Sequence, residues 1–215
     1  NGCYCLQLLL HQVVQNSILQ LTGVLLPENL LPPTTRSNTP RTWAINNTLG
    51  HSDLENLLES GKYISNNIEW DSYLNCSVES IDVSCAENFL MDLATKAYRR
   101  VPTNQEKQNI THLLSTGIPI DQAVAVGLQV IVQSPQFLYI NNSSTLHLLS
   151  LFLLQKPPSE EVLSLYSEAS ADQITRYLLQ DPSVKHGLIA FHEDWLQLYQ
   201  LDHINKSSPT YLETR

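Results

Sequence analysis

Apolar residues recur along this chain at the three-to-four spacing of amphipathic helices, and strand-like alternation is nowhere sustained. Leu6, Leu9, Leu10, Val13, Val14, Ile18 and Leu21 form the first stripe, with Gly23 where a helix C-cap belongs. The pattern breaks between Leu26 and Asn47. There Pro27, Pro32, Pro33 and Pro40 predict an irregular wrap, anchored into the core by Trp43. Ser52-Asp53-Leu54-Glu55 reads as a capping box opening a short helix that closes at Gly61. Ser84-Cys85-Ala86-Glu87 is a second box, ahead of Phe89, Leu90, Leu93, Ala94 and Ala97, and Thr103-Asn104-Gln105-Glu106 is a third, just after Pro102. Asp121 is placed to cap Gln122–Ser134, which Pro135 ends. Thr145–Leu154 is a further apolar segment, and Ser159-Glu160-Glu161 begins a helix behind Pro157-Pro158. Ser170-Ala171-Asp172-Gln173 is a fourth box, opening Ile174–Gln180. Asp181-Pro182 then predicts a cap and a first-turn proline for a long helix reaching Leu201.

These elements predict an all-α fold, an irregular bundle of roughly nine helices with a long Pro-rich loop near the N-terminus. A soft boundary across Asn66–Ser84 divides an N-terminal helical lobe with its Pro-rich wrap, residues 1–70, from a main helical domain, residues 71–215. The 215 residues suffice for one mid-sized domain or two small ones sharing a core. No internal repeat is found at solenoid periods.

Charge narrows the classes of partner. With 21 acids against 12 bases the formal net charge is −9. Nucleic-acid binders carry the opposite sign, because phosphate neutralisation dominates their affinity. The same sign disfavours an anionic membrane surface. Only seven glycines argue against a Gly-rich phosphate loop. Leu6–Leu26 is uncharged but interrupted by Gln7, His11, Gln12, Gln15, Asn16 and Gln20, and Pro135 and Asn141-Asn142 divide Ala123–Gln155. Neither stretch makes a membrane span, so both read as core helices.

Candidate chemistry is sparse. There are four cysteines, Cys3, Cys5, Cys76 and Cys85, with no Cys-x-x-Cys and hence no zinc-ribbon, thioredoxin or c-type haem motif. Cys76 and Cys85 flank a polar stretch that a disulfide can staple, and spacing leaves that reading level with two inert thiols. Asn1-Gly2-Cys3 resembles the tail of a bacterial lipoprotein signal, which makes Cys3 a lipidation candidate. His186 and His192 fall on nearly opposite faces of a helix, and His11, His51, His112, His147 and His203 are isolated, so no ligand spacing emerges. No Gly-x-Ser-x-Gly frames a nucleophile. Glu160 and Glu161 point to different helix faces and favour a helix N-terminus through the dipole. Arg99-Arg100, the chain's only adjacent bases, reads as a cationic helix end, with contact to an acidic partner as the alternative. Trp43, Trp70 and Tyr63 cluster loosely in the N-terminal third, read as core residues rather than a sugar-binding surface.

From Cys76 onward the chain resembles the helical domains of unknown function that accompany planctomycete-type cytochrome c modules in large bacterial extracytoplasmic proteins. The residues that carry the resemblance are Cys76, Cys85-Ala86, Phe89, Leu93-Ala94, Tyr98-Arg99-Arg100 with Pro102-Thr103, Gly127-Leu128-Gln129, and Ser134-Pro135-Gln136-Phe137-Leu138-Tyr139. Leu149–Leu153, Asp181-Pro182, Phe191 and Trp195–Leu198 continue it. Several polar positions of the pattern are replaced: Leu148 stands for an Arg, Leu154 for a Trp and Ser159 for an Asp. The haem module is missing and the pattern stops at Arg215, as in a degenerate, truncated member.

The resemblance implies a Cys76–Cys85 disulfide and an extracytoplasmic location, in the periplasm or on the outer envelope face. Loss of polar positions over a kept apolar frame implies a non-catalytic structural or accessory subunit, or a docking module, of a larger bacterial envelope assembly, a redox assembly being one form of it. Other protein subunits are the expected partners, with membrane contact only through those subunits or a lipid on Cys3; no cofactor is expected. The alternatives are a component of a cytochrome-linked redox or polymer-degrading enzyme, and a carbohydrate-binding module. The Leu-rich first helix and Thr145–Leu154 are the expected partner surfaces, because large apolar patches are seldom left open.

Overall fold

In the computed structural model, helix α1 (His11–Thr22) ends at Gly23, whose φ of +69° is the left-handed cap that glycine adopts without strain. The structure describes residues 7–8, 11–30, 50–74, 76, 81–140, 144–166, 168–196 and 198, with only the backbone of Gln7, Leu8, His11 and Asp194. Most of the Pro-rich wrap, with Trp43, and both Cys3 and Cys5 lie outside these residues. The Leu-rich stripe does not continue into α1 from Leu6. Gln7–Leu8 instead form a short strand, β1.

Helix α2 (His51–Asn67) runs through Gly61, where the sequence predicts a stop. Its first turn is capped by Asp53, whose carboxylate accepts from the Gly50 amide at 2.8 Å, and not by the expected Ser52 box. Gly61 is buried because another helix crosses it: a Cβ there would lie 2.2 Å from the Gln133 side-chain nitrogen. After the single turn α3 (Trp70–Tyr73), helix α4 (Val83–Tyr98) is capped by Asp82, which accepts from the Cys85 amide at 2.7 Å. The cap therefore sits two residues upstream of the predicted Ser84, where a carboxylate also complements the helix dipole.

Helix α5 (Asn104–Leu114) carries the capping box read from the sequence, with Thr103 and Glu106 exchanging bonds. Helix α6 (Ile120–Gln133) starts after Pro119, with Asp121 inside its first turn rather than capping it. Ser134 caps the single turn α7 (Pro135–Leu138), and β2 (Tyr139–Ile140) pairs antiparallel with β1, Leu8 opposite Tyr139. Helices α8 (Thr145–Leu154), α9 (Glu160–Tyr166) and α10 (Ala171–Leu178) begin as predicted, α10 with its Ser170–Gln173 box. Helix α11 (Val184–Trp195) is shorter than expected at both ends. Asp181 turns the chain ahead of it, accepting from the Ser183 amide and hydroxyl at 2.8 and 2.6 Å. The fold is all-α as predicted: among the described residues the only sheet is the β1–β2 pair.

The buried apolar side chains form two clusters. The first joins α1, α2 and α4–α7 around Ile18, Ile64, Leu90, Leu128 and Phe137, all at most 2% exposed, so residues on both sides of position 70 pack in it. The second lies among α8–α11 around Leu146, Ile174 and Leu178. Helix α8 serves both, sending Leu151 into the first and Leu146, Leu153 and Leu154 into the second. A helix apolar on nearly every side is a buried helix, so Thr145–Leu154 is not the open partner surface expected from its composition. The same correction holds for α1, whose Val13, Val14 and Ile18 are core.

The Cys76–Cys85 disulfide ties the segment after α3 to the first turn of α4, across Cα atoms 6.4 Å apart. Beside it Trp70 meets Phe89 edge-on at 5.9 Å, which with Tyr63 packed on the first core confirms the core reading of both aromatics. Two outcomes follow. Reducing the disulfide, or replacing Cys85→Ser, should lower stability by about 2–3 kcal/mol, read as a fall in denaturation midpoint. Gly187 marks the crossing of α11 on α8, where a Cβ would meet the Leu153 carbonyl oxygen at 2.0 Å. Gly187→Ala should therefore cost about 2–3 kcal/mol, against about 1 kcal/mol for Gly117→Ala, whose φ of +84° is strained for alanine but whose surroundings are open.

Candidate functional site

Helix α4 ends with Arg99 in the left-handed conformation, φ 58°, a setting few non-glycine residues adopt. The turn sends consecutive arginines in opposite directions, Arg99 inward and Arg100 outward. Arg99 is 6% exposed, and its Nη2 donates to the carbonyl oxygens of Gln136, Phe137 and Tyr139 at 2.9, 3.1 and 2.9 Å. A single helical turn leaves its carbonyls without intrahelical partners, and one guanidinium nitrogen gathers three from α7 and β2. Its Nε and Nη1 are buried with no hydrogen-bond partner. Burial, and secondarily the charge of Arg100, lowers the Arg99 pKa to about 10, so the side chain stays a cation at neutral pH.

Arg100 makes a two-pronged pair with Glu106, Nη1 and Nη2 each 2.8 Å from a carboxylate oxygen, and its guanidinium lies 5.7 Å from the Tyr98 ring centre. Glu106 also accepts the Thr103 amide at 2.7 Å. The Arg100 hydrogen bond is the main reason its carboxyl is held down to about 2. Both arginines are thus occupied within the chain. The helix-end expectation changes in one respect: Arg99 serves the carbonyls of α7 and β2, not those of its own helix. Arg99 is buried, whereas the Arg100–Glu106 pair stays partly open to solvent.

His147, read as isolated in the sequence, is buried in the first turn of α8. Its Nδ1 lies 2.8 Å from the Ser144 hydroxyl, which also caps the helix through the His147 amide at 3.4 Å. Burial first, and then the Arg99 charge, lowers its pKa to about 4. A serine hydroxyl against an imidazole is the beginning of a nucleophile–base pair. So weak a base takes little of a serine proton at neutral pH, and the pair functions as a helix cap. Ser144-x-x-His147 was the sequence signal for it, a cap residue with a polar side chain three positions on.

The remaining candidates are dispersed. His51, His112, His186 and His192 are exposed, the last with Nδ1 at 2.7 Å from the Leu188 carbonyl. Glu160 meets Lys96 at 2.5 Å, and that contact holds its carboxyl below the usual range. Glu160 thus links α9 to α4. Among the described residues no three His, Cys, Asp or Glu side chains are grouped to hold a metal ion, and no helix is long and apolar enough to cross a membrane.

Residues 85–141, from the first turn of α4 past β2, match the model of a family described as PSD5, a protein of unknown function (DUF1595). The match contains Arg99, Arg100, Glu106 and the three carbonyls on Arg99. No curated protein and no solved structure matches the chain. The geometry separates the two arginines energetically. Arg99→Ala should cost about 3 kcal/mol, since three buried carbonyls lose a charged donor, and Arg99→Lys should recover only part, lacking the planar guanidinium. Arg100→Ala should cost about 1 kcal/mol or less at its partly exposed ion pair. Chemical denaturation of the three variants checks the order. Glu106→Gln should flatten the acid limb: the lowered carboxyl contributes stability above its unfolded pKa near 4.5, lost as pH falls towards 2.

Proposed function

We propose that the chain is a non-catalytic structural or accessory module that docks other protein subunits in a larger bacterial envelope assembly, outside the cytoplasm. The observation that carries the reading is a set of exposed apolar side chains on α11, just after it and at the end of α10. Leu179, Ile189, Trp195 and Leu196 are 52%, 43%, 58% and 55% exposed, and Leu198 lines one groove with Leu179 and Ile189. Tryptophan beside aliphatic side chains is the composition of interface anchors, and Phe191 holds the Trp195 ring in a stacked arrangement at 6.1 Å. The matched family and the resemblance to domains that accompany cytochrome c modules support an assembly with redox subunits elsewhere in it. The Cys76–Cys85 disulfide fits an oxidising compartment, the periplasm or the outer envelope face. A lipid on Cys3 would supply membrane attachment.

The test compares wild type with a Trp195→Asp, Leu196→Asp variant in native-mass and cross-linking experiments on the source envelope fraction. A defined subunit held by wild type and lost by the variant, with thermal midpoints within a few degrees, supports the reading. Wild type recovered as a monomer without a partner counts against it.

A further inference from the structure

The start of α8 is where the two cores meet, and the groups gathered there share one electrostatic sign. His147 sits in the first turn, near the positive end of the helix dipole, with its Nδ1 on the Ser144 cap. Arg99, buried at the end of α4, acts on His147 as a like charge, and no carboxylate is among the charges that shift either group. The ionisable side chains of α10 (Asp172, Arg176, Tyr177) and of α11 (Lys185, His186, His192, Glu193) are not among the charges that reach His147. A proton on this imidazole therefore meets a buried cation and a helix N-terminus, with no acid among the described residues to balance it.

We propose that this joint is an acid-sensitive latch: a proton on His147 adds an unbalanced buried cation at the start of α8 and loosens α8–α11 from the first core while α4–α6 stay folded. The two separate apolar clusters make partial release feasible, because α9, α10 and α11 bury their side chains among themselves and α8. The sign follows from linkage. The folded-state pKa, about 4, lies below the ordinary histidine value of 6.5, so stability is fully present above 6.5 and is lost as pH falls from there towards 4. Two carboxylates of this half stand clear of that window, because Ser183 holds Asp181 and Lys96 holds Glu160 below their usual ranges. His186 and His192 face solvent, and a variant at position 147 separates them from the latch.

Amide hydrogen exchange, corrected for the intrinsic pH dependence of the exchange chemistry, reads the proposal directly. Between pH 6.5 and 4.5, protection of α8–α11 should fall at least tenfold more than that of α4 and α6. His147→Gln, which stays neutral and keeps a hydrogen-bonding group for Ser144, should remove the difference. Equal loss of protection in both halves of wild type, or an unchanged pH course in His147→Gln, overturns it. Should that variant not fold, the comparison of the two halves in wild type decides alone.

Discussion

A buried guanidinium that leans on main-chain carbonyls organises this molecule. Removing a cation from water costs several kcal/mol unless its donors are met. Arg99 recovers part of that cost from three carbonyls on α7 and β2. The same bonds satisfy acceptors that a one-turn helix cannot. The end of α4 is thereby fixed to the segment where the chain leaves α6, turns through Ser134-Pro135 and pairs with β1. Two donors remain open, so the cation is held by geometry and not by a counter-charge.

Packing around this node depends on close approach as much as on apolar area. Gly61 lets α6 lie against α2, Gly127 leaves room for the Leu90 side chain, and Gly187 brings α11 onto the backbone of α8. Each of these glycines stands inside a helix, where its conformational freedom is a cost, and each is justified by what passes beside it. Helix α8 completes the arrangement by having no polar face to spare.

Three polar pairs tie the chain's own elements together. Arg100 and Glu106 hold the α4–α5 turn, Lys96 and Glu160 join α4 to α9, and Ser144 and His147 close the start of α8. These groups could have formed a reactive set only if they converged, and they are spread over separate helix ends. Solvent-facing apolar side chains are found on several helices, among them Leu54 and Leu58 on α2, Val126 and Val130 on α6, and Ile189 and Trp195 on α11.

Helix identity was legible in the sequence because apolar spacing and local caps act over four or five residues: Thr103–Glu106, Ser170–Gln173 and Thr145–Leu154 are found as read. The paired cysteines followed from a family resemblance. Local signals misled where a distant element intervened. Gly61 looks like a terminator until α6 is placed beside it, and the Leu-rich start looks helical until Tyr139–Ile140 offer it a strand partner. The role of Arg99 and the burial of His147 have no local signature, because both depend on carbonyls and charges 37 to 48 positions away along the chain. Short-range periodicity therefore specified the helices, and tertiary packing alone decided which side chains became buried and what they hold.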